Sequence, residues 1–277
     1  MEYSPNKMQQ LLKNNNFAFK KGFGQNFIID ENIINNIVNK SNIDDSTLVI
    51  EIGPGAGSLT YKLTTVAKKV LCYEIDTRLK NILETNLQDL NNIEIVFEDF
   101  LKVDLNEKLT EYKYDKLYVV ANLPYYITTP IIVKFIEDGI DVDKIVVMVQ
   151  KEVGNRFKAN VGTKEYNSLT IFLNYYFDIR KIMDVSKNVF IPKPNVDSIV
   201  LEFVKKKEFL PLENKTFFFK LIKDSFKQKR KTIRNNLSNY DLNKIEEILI
   251  SHNYSLSSRA EQIPIDVFVD LANKLSD

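Results

Sequence analysis

Apolar positions Ile33, Ile34, Ile37 and Val38 recur at helical spacing just after Asp30, a residue whose side chain can accept from the free amides of a helix start. This short helix leads into an apolar run from Leu48 to Ile52, the length of a buried strand. Helices and strands then alternate. A helix near Leu59 to Val66 precedes a strand from Val70 to Ile75, and a helix from Leu79 to Leu87 precedes a strand from Ile93 to Phe97. The strand Leu117 to Ala121 precedes a helix from Pro130 to Ile136, and the strand Ile145 to Val149 runs into a helix from Glu152 to Lys158. Such alternation predicts a doubly wound α/β sheet.

The pattern changes downstream. SLTIFLNYYF reads as a buried helix, and KIMDV and VDSIVLEFV read as two strands flanking the proline-rich NVFIPKPN, an antiparallel edge that closes the sheet. After the solvated Lys205-Lys206-Lys207, helical periodicity returns in FFFKLIKDSF, KTIRNNL, LNKIEEILI and PIDVFVDLANKL. The expected organisation is an α/β domain over 1–207 and a small all-α domain over 208–277. No internal repeat is visible.

A chain of 277 residues, 44% hydrophobic and 27% charged, has material for one large core and a satellite. The start carries no secretory h-region, and no apolar run approaches the length of a membrane span, so a cytoplasmic protein is expected. Cys72 is the single cysteine and His252 the single histidine, which excludes an internal disulfide and leaves no soft ligand set for a transition metal. Cys72, in the strand-like KVLCYEI, is expected in the core; His252, in the polar SHNYS, is expected in a solvated loop without a role. The net charge of +1 conceals an asymmetry. Acids outnumber bases from Asp30 to about Asp115, whereas Lys and Arg dominate from Lys205 to Arg234, with Lys20 and Lys21 adding to the N-terminal side. That distribution points to a surface facing a polyanion.

Candidate chemistry gathers at the predicted strand ends. Asn122-Leu123-Pro124-Tyr125 closes the strand that begins at Leu117 with an amide, a fixed backbone turn and an aromatic face, a combination suited to a nucleobase amine. The first strand ends in Glu51-Ile52-Gly53-Pro54-Gly55-Ala56-Gly57, where absent side chains let backbone amides approach a ligand. Ser58 stands where a dinucleotide fingerprint has its third glycine, so adenosine without a pyrophosphate fits better than a nicotinamide cofactor. Glu74, at the end of the second strand, is the candidate for ribose hydroxyls, and Asp99, at the end of the third, for an adenine amine. Acids at consecutive strand ends favour one shared site.

These segments, with FGQNF at Phe23 to Phe27, NLPYYITTP, VQKEVGNR and FIPKPNVDS, occur in one order from about Asn16 to Asn273, and the chain resembles the rRNA adenine N6-dimethyltransferases. The resemblance implies a Rossmann-like class I methyltransferase sheet, S-adenosylmethionine as cofactor, and Asn26, Ile28, Gly53, Glu74, Asp99 and Asn122 as its contacts. It implies Asn122 as a residue shared by cofactor and substrate and Phe190 as an aromatic against the target base; the residues themselves add the Leu123 carbonyl as a second acceptor for the amine and Tyr125 as a stacking face. Gly22 departs from the basic or hydroxyl residue that many relatives carry before FGQNF. GTKEYNSLTI, FKQKRKTIRNNL and SSRAEQIPIDVF are similar to the housekeeping branch of the kasugamycin-sensitivity type. That branch dimethylates two adjacent adenosines in the hairpin loop near the 3′ end of 16S rRNA, implying a monomer without metal that meets an immature small subunit. A basic helix bearing Lys227, Lys229, Arg230, Lys231 and Arg234 is expected to contact phosphates without reading sequence. The alternatives are a 23S rRNA methyltransferase of the erythromycin-resistance type and an assembly or transcription factor with little catalysis.

Overall fold

The computed structural model describes residues 10, 17, 19, 25–124 and 127–276. Lys20, Lys21, Gly22 and Tyr125 lie outside the described residues. In chain order the first half holds β1 (Phe27–Ile28), α1 (Glu31–Ser41), β2 (Thr47–Ile52), α2 (Ser58–Thr64), β3 (Lys69–Tyr73), α3 (Lys80–Leu87), β4 (Ile93–Val96), α4 (Leu105–Leu109), β5 (Lys116–Asn122), α5 (Thr128–Glu137) and β6 (Lys144–Gln150). The remainder holds α6 (Lys151–Phe157), α7 (Ser168–Tyr176), β7 (Phe177–Val185), β8 (Phe190–Ile191), β9 (Ser198–Lys205), α8 (Lys215–Ser225), α9 (Ile233–Asn236), α10 (Leu242–Ser251) and α11 (Ile265–Leu275).

A strand pairs on both sides only if its whole length tolerates burial, and the TLVIEI run of β2 is buried at all six positions. It takes an interior place, third from one edge, in a seven-stranded sheet of order β4-β3-β2-β5-β6-β9-β7. The pairs β4–β3, β3–β2, β2–β5 and β5–β6 are parallel, and β9 runs antiparallel to β6 with Lys144 opposite Val204. The expected α/β sheet with an antiparallel edge is therefore present. Asp30 accepts from Asn32 N at 2.9 Å to start α1, and the buried Lys144 Nζ donates to Ser41 O at 2.9 Å at its end, satisfying a last-turn carbonyl. Cys72 is fully buried in the layer between the sheet and α1 and α2.

Two compact units share the chain, and their division differs from the single boundary expected at 207. The first holds the residues up to Gly154 together with Arg180–Val204, and the second holds Asn155–Ile179 together with Lys205–Asp277. The reason is apolar packing: Tyr166, Ile171 and Tyr175 are buried in the same cluster as Phe218, Leu221, Leu249 and Phe268. Three local expectations also change. The basic segment is not a helix, because residues 227–231 form turns between α8 and α9, and only Arg234 is helical. Asn236 holds that path, accepting from Gln228 N at 3.2 Å and donating to Ser225 O at 2.6 Å. His252 caps α10, half-buried, with Nε2 at 2.9 Å from Asp270 Oδ2, and is not a free loop residue. Finally, β1 and β8 form an antiparallel ribbon, Phe27 opposite Ile191 and Ile28 opposite Phe190, too short to announce itself by periodicity.

Candidate functional site

Because β2, β3, β4 and β5 are parallel, their C-terminal ends share one edge, and the order reverses between β2 and β5. Open α/β sheets leave a crevice at such a switch point. A cleft lies there, lined by Asn26, Ile28, Gly53, Glu74, Asp99, Asn122 and Leu123 among others, so seven positions singled out in the sequence meet in one place. The glycine loop after β2 forms one wall. Gly53 and Gly55 adopt φ of 71° and 62°, the left-handed region that side chains disfavour. A Cβ on Gly55 would stand 2.8 Å from Phe27 Cε1, whereas one on Gly53 would meet nothing within 4 Å. The Gly53 backbone thus faces open space and can be approached closely by a ligand. Asn86 Nδ2 donates to Ala56 O at 2.9 Å and fixes the loop against α3.

The acids beside this wall are held by hydrogen bonds. Glu74, 5% exposed, accepts from Asp76 N at 2.8 Å through Oε1 and from Gly55 N at 3.2 Å through Oε2. Burial pushes its carboxyl up to about 7, and the amides offset only part of that. Glu51, on β2, is more deeply buried and is pushed up to about 8 for the same reason; Cys72 Sγ lies 3.6 Å from its Oε2. Asp99 accepts from Leu101 N at 3.1 Å through Oδ1, and its Oδ2 lies 4.0 Å from Lys102 Nζ. Two residues not anticipated complete this half: Ile75 and Leu101 line the cleft although 48% and 36% exposed. Large aliphatic side chains left open beside carboxylates fit the faces of a purine whose ribose and amine the acids accept from. Their signal in the sequence is slight: each is an apolar residue in the turn that follows a strand, where a polar one is expected.

On the other side of the switch point, Asn122 is the last residue of β5, and its Nδ2 donates to Asn26 O at 2.8 Å. The amide is thereby oriented, with Oδ1 as its acceptor. Pro124 O accepts from Ile127 N at 3.2 Å and from Thr128 Oγ1 at 3.3 Å, which fixes the turn after β5. Phe190 departs from expectation: it is 3% exposed, packs in the apolar cluster with Ile28, Met148 and Val185, and is not among the residues lining the cleft. Its pairing with Ile28 across the β1–β8 ribbon draws the ring inward. In the second unit, Lys227, Lys229, Arg230, Lys231 and Arg234 are all exposed, and none makes an ion pair among the described residues.

The family model "Ribosomal RNA adenine dimethylase" matches residues 16–277. The chain is 50% identical over 240 residues to "Ribosomal RNA small subunit methyltransferase A" of Staphylococcus aureus (strain bovine RF122 / ET3-1), covering 86% of this chain and 81% of that one. Its structure is similar to that of a dimethyladenosine transferase from Plasmodium falciparum, with a TM-score of 0.74, 26% identity, and coverage of 88% of this chain and 95% of the other. The 23S rRNA methyltransferase ErmE has the same fold, with a TM-score of 0.72 and 24% identity, covering 91% of this chain and 100% of that one.

Proposed function

The chain belongs to the ribosomal RNA adenine dimethylase family, and from that membership we propose how its residues carry out the reaction. The protein is an S-adenosylmethionine-dependent methyltransferase that converts two adjacent adenosines near the 3′ end of 16S rRNA to N6,N6-dimethyladenosine. When bound, S-adenosylmethionine supplies a methyl group made electrophilic by its sulfonium. Glu74 receives the ribose hydroxyls, Asp99 the adenine amine, and Ile75 and Leu101 the faces of the adenine. Asn26, Ile28 and Gly53 complete the cofactor wall.

The observation that carries this reading is the oriented Asn122 amide in the same cleft as Glu74. The N6 lone pair of adenine is delocalised into its ring and is a poor nucleophile. Asn122 Oδ1 and the Leu123 carbonyl accept its two hydrogens and favour a pyramidal nitrogen directed at the methyl group. The alkylated nitrogen is cationic and sheds its proton to water, so no strong general base is needed. Tyr125 supplies a face on which the extruded base stacks.

Lys227, Lys229, Arg230, Lys231 and Arg234 position the rRNA by its phosphates. The partner is 16S rRNA within an immature small subunit in the cytoplasm, met by a monomer without metal, and the reaction belongs to small-subunit biogenesis. Among the described residues no helix is long and apolar enough to cross a membrane. The test is incubation with labelled S-adenosylmethionine and unmethylated small or large subunits, followed by mapping of the label. Label in small-subunit rRNA is expected; label confined to the large subunit overturns the reading.

A further inference from the structure

Asp76 follows the ribose candidate Glu74 by two positions, is 3% exposed, and has its carboxylate filled by protein rather than turned to the cleft. Gln25 Nε2 donates to its Oδ2 at 2.8 Å across 51 positions of sequence. Arg78 donates through Nε to Oδ1 at 2.8 Å and through Nη2 to Oδ2 at 2.5 Å. Burial alone would raise this carboxyl, yet Arg78 and Gln25 outweigh it and hold the group below its ordinary range. Asp76 therefore stays charged, and its backbone N–H is the 2.8 Å donor to Glu74 Oε1.

Arg78 extends the connection. Its guanidinium carbon lies 5.1 Å from the centroid of the Phe17 ring. Phe17, Phe19 and Phe27 pack on one another with centroids 5.5 to 6.1 Å apart, and Phe27 occupies the space that a side chain on Gly55 would need. Gln25, Asn26, Phe27 and Ile28 all line the cleft, and Asn26 O is the acceptor that orients Asn122. One buried carboxylate thus joins the wall that carries Asn26 to the turn that carries Glu74.

We propose that Gln25 and Arg78 are positioning residues, acting through Asp76 as a latch that holds the Gln25–Ile28 wall closed on the cofactor half of the cleft. This rests on the cofactor assignment above. Neither side chain donates to the methyl acceptor, so the latch governs chiefly the binding of S-adenosylmethionine and reaches transfer from the filled site only weakly, through Asn26 O and the Asn122 amide. Because a hydrogen bond to a charged group is stronger than a neutral one and both bonds converge on one carboxylate, the two losses overlap.

The chain has no tryptophan, so titration calorimetry with S-adenosylmethionine is the suitable measurement. Arg78→Ala is expected to weaken binding by about tenfold or more and Gln25→Ala by roughly fivefold. Arg78→Lys should recover part of the loss, and the double variant should lose less than the product of the two. In turnover assays KM for S-adenosylmethionine rises while kcat at saturation stays within about twofold. If Arg78→Ala does not fold, Gln25→Ala decides alone. Dissociation constants within twofold of wild type, or a fall in kcat with KM unchanged, overturns the latch. A wild-type protein that binds no S-adenosylmethionine instead removes the cofactor assignment and the latch with it.

Discussion

The cleft at the end of the parallel strands and the turn segment before α9 both concentrate charge, and they treat it oppositely. In the cleft Glu74 is held by two backbone amides, and two positions on, turned away from the cleft, Asp76 is held by Gln25 and Arg78, so the charges are aimed and largely spoken for by the protein. In the turn segment Lys227, Lys229, Arg230, Lys231 and Arg234 point to solvent without an ion pair among the described residues. A small ligand with fixed donors rewards the first arrangement, because each bond must meet one atom. A polyanion rewards the second, because its phosphates recur along the chain and binding gains from released counterions.

The contrast is broken most severely at Glu74. Glu74→Gln removes the ionised acceptor and is expected to weaken S-adenosylmethionine binding by about 10- to 100-fold, measured by calorimetry, while the salt dependence of rRNA binding stays unchanged. Next in size is an effect of pH. With its carboxyl near 7 in the unliganded cleft, Glu74 in its proposed ribose role accepts most strongly when ionised, so affinity for S-adenosylmethionine should fall by about tenfold from pH 8 to pH 6, and Glu74→Gln should abolish that dependence.

Stability moves the other way with pH. Glu51 and Glu74 are raised in the folded state from an ordinary 4.5, so the contribution they make is fully present below that value and is lost as pH rises through about 7 and 8. The melting temperature of the unliganded protein should therefore decline over that interval, and Glu51→Gln should flatten the decline. The smallest effect per residue belongs to the turn segment. Neutralising Lys229, Arg230 and Lys231 should lessen the loss of rRNA affinity between about 50 and 200 mM salt by roughly threefold for each charge, without altering S-adenosylmethionine binding.

Much of this was legible in the chain because the central strands are buried on both faces and announce themselves as unbroken apolar runs, β2 above all. Residues at the ends of those runs, Gly53, Glu74, Asp99 and Asn122, were legible for the same reason: parallel strands bring their ends to one edge. What stayed hidden depends on contacts distant in sequence or on elements too short for periodicity. The Gln25–Asp76 bond spans 51 positions, and the β1–β8 ribbon that buries Phe190 has two residues per strand. Asn155–Ile179 reads as a helical insertion in the sheet domain, and only three-dimensional packing of Tyr166, Ile171 and Tyr175 assigns it to the other unit. The turn path of residues 227–231 depends on Asn236 reaching back to Ser225 and Gln228, which local propensity does not register.

In the proposed mechanism Asn122 carries the chemistry, and Asn122→Ala tests that directly. Transfer of labelled methyl groups to unmethylated small subunits should be measured for wild type and variant alongside calorimetric binding of S-adenosylmethionine and the melting temperature. The expected result is loss of transfer by at least about 100-fold with the melting temperature unchanged and a smaller loss in cofactor affinity. Near-wild-type turnover by Asn122→Ala contradicts the assignment of Asn122 as the acceptor that readies the adenine amine.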